Sequence, residues 1–165
     1  SRSSAASDVY KRQDLVEQEV EINIVRGDHV DEVHQKFNEW ISQVVRIYKK
    51  EKFVEFEWLV GPIPIDDDIG KEIVSRFTSK IQNNKEFYTD SNGREMLKRS
   101  KDFRETWEYE IIEPIAGNYY PINSKIAIQD ETHRLAVLND RSQGGSSLEN
   151  GEVELMVGLM TLLKF

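Results

Sequence analysis

Cysteine is absent from the 165 residues, which excludes disulfides and thiolate metal ligands and leaves the redox compartment unread. Positive charge is in deficit as well, with 22 basic residues against 30 acidic ones and a formal charge of -8. That sign does not fit a nucleic-acid backbone, and it disfavours an anionic membrane surface for the same reason. No apolar run approaches the roughly 20 residues that a membrane span needs, and nothing within these residues reads as a secretion signal. Nor is there an Asn-x-Ser/Thr sequon, so N-glycosylation is not expected in this segment. What remains is long enough for one domain with a core of its own.

The first thirteen residues, "SRSSAASDVYKRQ", have almost no apolar content and no period. They read as a non-native leader of the translated-adapter kind, and the fold is expected to begin at Asp14. From there the pattern is period two, the mark of half-buried strands. Val20, Ile22 and Ile24 share one face of "EVEINIV". In "FVEFEWLVG", Val54, Phe56, Trp58 and Val60 share a face that is expected to lie in a core. The stretch from Val33 to Lys52 roughly keeps a helical spacing, but the β-branched and aromatic run Ile41–Tyr48 favours two strands and a hairpin. "SNGRE" carries an Asn-Gly pair suited to a type I′ turn. "GPIPIDDDIG" and "EPIAGNYYPINS" are punctuated by proline and glycine. Between these turns lie "KEIVSRF", "KEFYTD", "TWEYEII", "SKIAIQD", "HRLAVLND" and "EVELMV", all strand-like. The expected fold class is all-β, an antiparallel β-sandwich over residues 14–157.

Residues that carry chemistry are present without forming a recognisable site. Asp66, Asp67 and Asp68 are adjacent, whereas a calcium loop needs alternating acids and a distal glutamate, so a solvated turn is the expectation. Asp90 precedes the Ser-Asn-Gly turn, where an aspartate usually bonds backbone amides. His29, His34 and His133 form no HxxxH, HExxH or HxH element, so no metal ligands are assigned. No serine sits in a GxSxG elbow, and no catalytic residue is assigned. "DRSQGGSS", residues 140–147, lacks the lysine of a phosphate-binding loop and reads as a flexible connection where backbones approach closely. Trp40, Trp58, Trp107, Tyr119 and Tyr120 raise the question of a sugar-stacking platform, but packing is the leading role for each. Tyr119 and Tyr120 should point to opposite faces of a strand, with one of them a candidate for exposure.

Read together, "VVRIYK", "EFEWLVGPIPI", "GKEIVSRF", "FYTDSNGREMLKR", "EPIAGNYYPINSKIAIQD", "RLAVLNDRSQGGSSL" and "GEVELMV" resemble the C-terminal region of lysosomal-type α-mannosidases, glycoside hydrolase family 38. Order and spacing are kept from about Val30 to Val157. The resemblance implies a non-catalytic β-domain of an enzyme that removes terminal α-D-mannose from glycans with retention of configuration. It implies zinc and both catalytic carboxylates in an N-terminal barrel that nothing here matches, and hence no cofactor bound by this chain. It implies that barrel and mannose-containing glycans as partners, no nucleic acid or membrane, and a lysosome or vacuole as location. The chain departs from the family after "ELMV", where a basic pair in the manner of "HRRLL" usually follows and here "GLMTLLKF" stands. Residues 158–165 are therefore read as a divergent, truncated or frame-shifted tail, and the chain as a fragment. Such a piece is expected to expose an apolar face where the barrel would dock. The alternative from another class is a stand-alone carbohydrate-binding β-sandwich without hydrolytic activity; a third is a purely structural domain that buttresses a barrel.

Overall fold

A computed structural model describes residues 19–64, 66 and 71–160. The leader up to residue 18, Asp67 and Asp68, and the last five residues of the tail fall outside the described residues. Twelve strands run in chain order: β1 (Glu21–Arg26), β2 (Val30–Lys36), β3 (Ile41–Tyr48), β4 (Val54–Val60), β5 (Lys71–Thr78), β6 (Glu86–Ser91), β7 (Glu95–Ser100), β8 (Tyr120–Ile122), β9 (Lys125–Gln129), β10 (Arg134–Leu138), β11 (Gln143–Ser146) and β12 (Glu152–Met160). Among the described residues the one helical element is a single 3₁₀ turn at Ala116–Asn118. The all-β reading holds, and so does the choice of strands over a helix between Val33 and Lys52.

The strands form three four-stranded sheets, in the orders β1-β2-β3-β4, β10-β9-β6-β7 and β5-β12-β11-β8. The chain divides into two compact units, the first containing Glu72–Leu159 and the second Gln13–Lys71. In the first unit the latter two sheets pack face to face. Phe87, Ile126 and Ile128 come from one sheet and Ile122, Val153 and Leu155 from the other, with Ile81 beside them in one buried cluster. Leaving these side chains in water would cost about 1.5–3 kcal/mol each, which is why the strands alternate as they do. Pro121 lies inside β8 instead of breaking the chain, because β8 is an edge strand and its missing N–H removes no ladder bond on the open side.

The second unit is one meander in strict antiparallel register. Ile22, Ile24, Val33, Ile41, Val45, Ile47, Val54, Phe56, Trp58 and Val60 fall on one face by that register. The expected burial of the β4 face is not found: Val54 is 47% and Phe56 41% exposed, while Trp58 and Val60 are half-buried. The alternation is there, but no second layer among the described residues of the unit covers it. "TWEYEII" is a further correction, since residues 101–115 contain no strand and Trp107, Ile111 and Ile112 are exposed. Its alternating residues have no neighbouring strand with which to share backbone bonds.

Candidate functional site

Among the described residues the buried carboxylate with the most hydrogen bonds is Asp90, near the end of β6 and 3% exposed. One oxygen accepts the Asn123, Ser124 and Lys125 amides at 2.9, 2.9 and 3.1 Å, and the other accepts the Gly93 amide at 2.7 Å. Burial pushes the carboxyl upward, but the amide bonds from Ser124, Lys125, Gly93 and Asn123 outweigh it and hold it well below the usual range. The expected structural role is therefore found, and it extends beyond the local turn to the β8–β9 connection. The turn itself has positive φ at Asn92 (50°) and Gly93 (71°), as a type I′ turn requires.

A second constellation lies on the face of the β5-β12-β11-β8 sheet that turns away from the buried cluster. Glu154 is 1% exposed. It accepts Arg76 Nε at 2.9 Å and Nη2 at 2.7 Å on one oxygen, and the Tyr119 hydroxyl at 2.6 Å on the other. Burial first, and then the bond to Glu154, push the Tyr119 phenol far upward. These groups are committed to one another, so the carboxylate is not presented to a reacting atom.

Tyr119 and Tyr120 do point to opposite sides, although neither is exposed. Tyr120 packs edge-on to Phe87 at 5.7 Å, under the guanidinium groups of Arg99 and Arg104. Trp107 is 57% exposed and meets Tyr109 edge-on at 5.4 Å, while Trp58 stacks on Phe37 at 5.6 Å. Trp40 is half-buried at the β2–β3 hairpin.

Residues 140–147 are not a flexible connection. Gln143–Ser146 is strand β11, and its glycines are there for space. A Cβ on Gly145 would stand 2.0 Å from Ile122 Cδ1 and 3.2 Å from the Glu154 carbonyl oxygen, and one on Gly144 would stand 2.8 Å from Met156 Sδ. The expected close approach is correct and the expected looseness is not. Asp140 and Arg141 pair with each other at 2.9 Å on the surface, and Ser142 bonds Asn123 at 2.9 Å. Ser147 and Asn83 hold the far end, where Asn83 also accepts the Gly151 amide at 2.7 Å.

The remaining candidates stay apart. His34 pairs with Glu32 at 2.9 Å on β2, and His133 lies against Thr132 at 2.7 Å in the β9–β10 turn. Among the described residues no three His, Asp or Glu side chains converge as metal ligands would. Asp66 is exposed in a turn. Sequence reasoning missed Glu154, which reads only as the polar position of an alternating strand; its partners lie 35 and 78 residues away.

The model of the glycosyl hydrolases family 38 C-terminal domain matches residues 5–160. An alpha-mannosidase of Canavalia ensiformis is 55% identical over 139 residues, covering 84% of this chain and 14% of that protein. The lysosomal alpha-mannosidase of Mus musculus is 55% identical over 137 residues, and that of Homo sapiens 54%, each covering 83% of this chain and 14% of the relative.

Proposed function

The chain belongs to the family 38 glycosyl hydrolases through their C-terminal domain, and from that premise we propose that it is the non-catalytic β-domain portion of an α-mannosidase that hydrolyses terminal α-D-mannose residues of glycans with retention. It spans 14% of the length of the relatives it matches, so hydrolysis, substrate and partner are assigned to the larger protein. The observation that carries the non-catalytic role is how the buried carboxylates are used. Asp90 is held by four amides, and Glu154 by a guanidinium and a phenol. Neither is a carboxylate pair flanking a space for a glycosidic bond. The donor set does not fit zinc either, since the chain has no cysteine, His34 and His133 are engaged separately, and no three His, Asp or Glu side chains converge among the described residues. Zinc and the catalytic carboxylates are therefore assigned to an N-terminal barrel of the same polypeptide.

The names of the mammalian relatives support a lysosomal or vacuolar location. The turn anchors suit an acid lumen. Asp90 stays charged well below the usual carboxylate range, and the Thr132 and His133 amides hold Asp130 at about 2. The reading is tested by joining this chain to the catalytic portion of the Canavalia ensiformis enzyme from which the matching segment has been removed. The chain alone should release no nitrophenol from p-nitrophenyl α-D-mannoside, and the joined protein should do so, with α-mannose as the first product by NMR. A folded joined protein without activity would overturn it, and so would hydrolysis by this chain alone.

A further inference from the structure

A concave region of about 270 Å³ lies on the second unit, at the end of the sheet bounded by the β2–β3 hairpin. The strand register builds its floor. Glu21 pairs with Lys36, Lys36 with Ser42 and Ser42 with Leu59, so the four cross the sheet as one row on one face. Asn23 lies on the same face, one pleat along β1. Trp40 and the 71%-exposed Leu59 supply the apolar wall. No described residue takes a hydrogen bond from, or gives one to, the side chains of Glu21, Asn23, Lys36, Ser42 or Trp40. Donors and acceptors that no other described residue engages, gathered around a half-buried indole, are what a small polar ligand with one apolar face requires.

We infer that this groove is a non-catalytic binding subsite for a hexopyranoside. The apolar C–H face of a pyranose ring lies against Trp40, and its hydroxyls are met by the Glu21 carboxylate, the Asn23 amide, the Lys36 ammonium and the Ser42 hydroxyl. An anionic ligand is disfavoured because the lining sets Glu21 and Glu39 against Lys36, and the other basic group there, His34, is already paired with Glu32. The volume lies just below the roughly 300 Å³ at which drug-sized sites begin, which suits one sugar ring and not a long chain. The ligand class follows from the groove itself, while the choice of mannose among hexoses rests on the function proposed above. In that setting the subsite holds a second sugar of a branched glycan.

The test is a titration of the ¹⁵N-labelled 165-residue chain with methyl α-D-mannopyranoside, and with the α-glucoside and β-galactoside for comparison. The Trp40 indole signal and the Asn23, Lys36 and Ser42 amides should shift saturably, with Kd on the order of 1 mM for so small a ligand. Trp40→Ala should abolish the shifts, and Ser42→Ala should weaken binding by roughly threefold to tenfold, the worth of one hydrogen bond. If the chain gives no dispersed spectrum, the joined enzyme carries the same variants. There Trp40→Ala should raise KM for a branched oligomannoside severalfold and leave KM for p-nitrophenyl α-D-mannoside unchanged. A dispersed spectrum with no movement at Trp40 for any hexoside would overturn the inference, as would equal KM effects on both substrates. Either result leaves the mannosidase assignment to its own assay, so the two failures are distinguishable.

Discussion

The two units of the chain reach order by different means. In the sandwich, apolar residues of two sheets close on one another, and the connections are pinned by buried polar groups such as Asp90, Asn83 and Asn118. Asn118 alone bonds the Asp102 carboxylate at 2.7 Å, the Pro114 carbonyl at 2.9 Å and the Asp102 amide at 2.8 Å. In the meander β1–β4, only Ile41 and Gln43 are buried among the described residues, and its charged face is laced by Arg46 to Glu32, Glu55 and Glu57 at 2.7, 3.0 and 2.6 Å. Pairs on an exposed sheet face contribute little to stability. The contrast teaches that one unit carries its own interior, whereas the other carries a regular backbone whose apolar face meets no second layer among the described residues of its unit.

The largest effect is expected at Asp90. Asp90→Ala would leave four amides without their acceptor, three of them half-buried, and since bonds to a charged acceptor are worth about 1.5–3 kcal/mol each, a loss of about 3 kcal/mol is expected in urea unfolding. Asp90→Asn keeps an acceptor oxygen and removes the charge, which separates geometry from electrostatics. The sign with pH follows from the depressed folded value. The contribution is complete above the ordinary aspartate value of about 4, and it is lost as pH falls from there toward the folded value, because the unfolded chain takes up the proton first. Wild type should therefore lose stability below about pH 4 more steeply than Asp90→Asn. Identical acid limbs would mean that the amides do not hold a charge. An effect of Asp90→Ala no larger than that of a surface substitution would remove the contrast between the units.

A smaller loss is expected at Gly145, which tests whether the sandwich is as close-packed as its glycines imply. Gly145→Ala places a methyl against Ile122, which is fully buried and cannot swing into solvent. A cost of about 1–3 kcal/mol is expected. Ile122→Val removes the clashing Cδ1, so in a double-mutant cycle it should cost less in the alanine background than in wild type, with a coupling of about 1 kcal/mol. Additive effects would mean that β11 tolerates the methyl by moving.

These two residues also mark how far the sequence could be read. The Asp-Ser-Asn-Gly order predicts an aspartate that caps its own turn, but the three amides from Asn123 to Lys125 belong to a connection more than thirty residues away and leave no local trace. Two adjacent glycines signal close approach, yet whether they lie in a loop or a strand depends on β8 and β12 on either side. Period-two alternation predicts strands at β1 and β4 and fails only on what covers them, because alternation specifies a face and not its neighbour. "TWEYEII" fails for the related reason that strand propensity without a pairing partner does not make a strand. The Glu154, Arg76 and Tyr119 set was illegible altogether, since only the fold brings the three together.

The smallest effect on stability, and the most direct test of the contrast, is on the open face of the meander. Ile22 and Ile24 are 56% and 55% exposed on that face. Replacing both with threonine keeps β-branching and so keeps the strand, while removing apolar surface that water already reaches. Each substitution should change unfolding free energy by no more than about 0.5 kcal/mol. Binding of a hydrophobic dye such as ANS should fall measurably, and self-association at high concentration should fall with it, because exposed apolar patches drive both. The same pair placed in the joined enzyme gives the opposite reading if the barrel covers this face. There the two threonines should be costly, because each then takes an aliphatic side chain out of a packed apolar environment, worth about 1.5–3 kcal/mol when fully buried. Equal tolerance in both settings would mean that this face is solvated in the whole protein, and the missing second layer would have to be sought elsewhere.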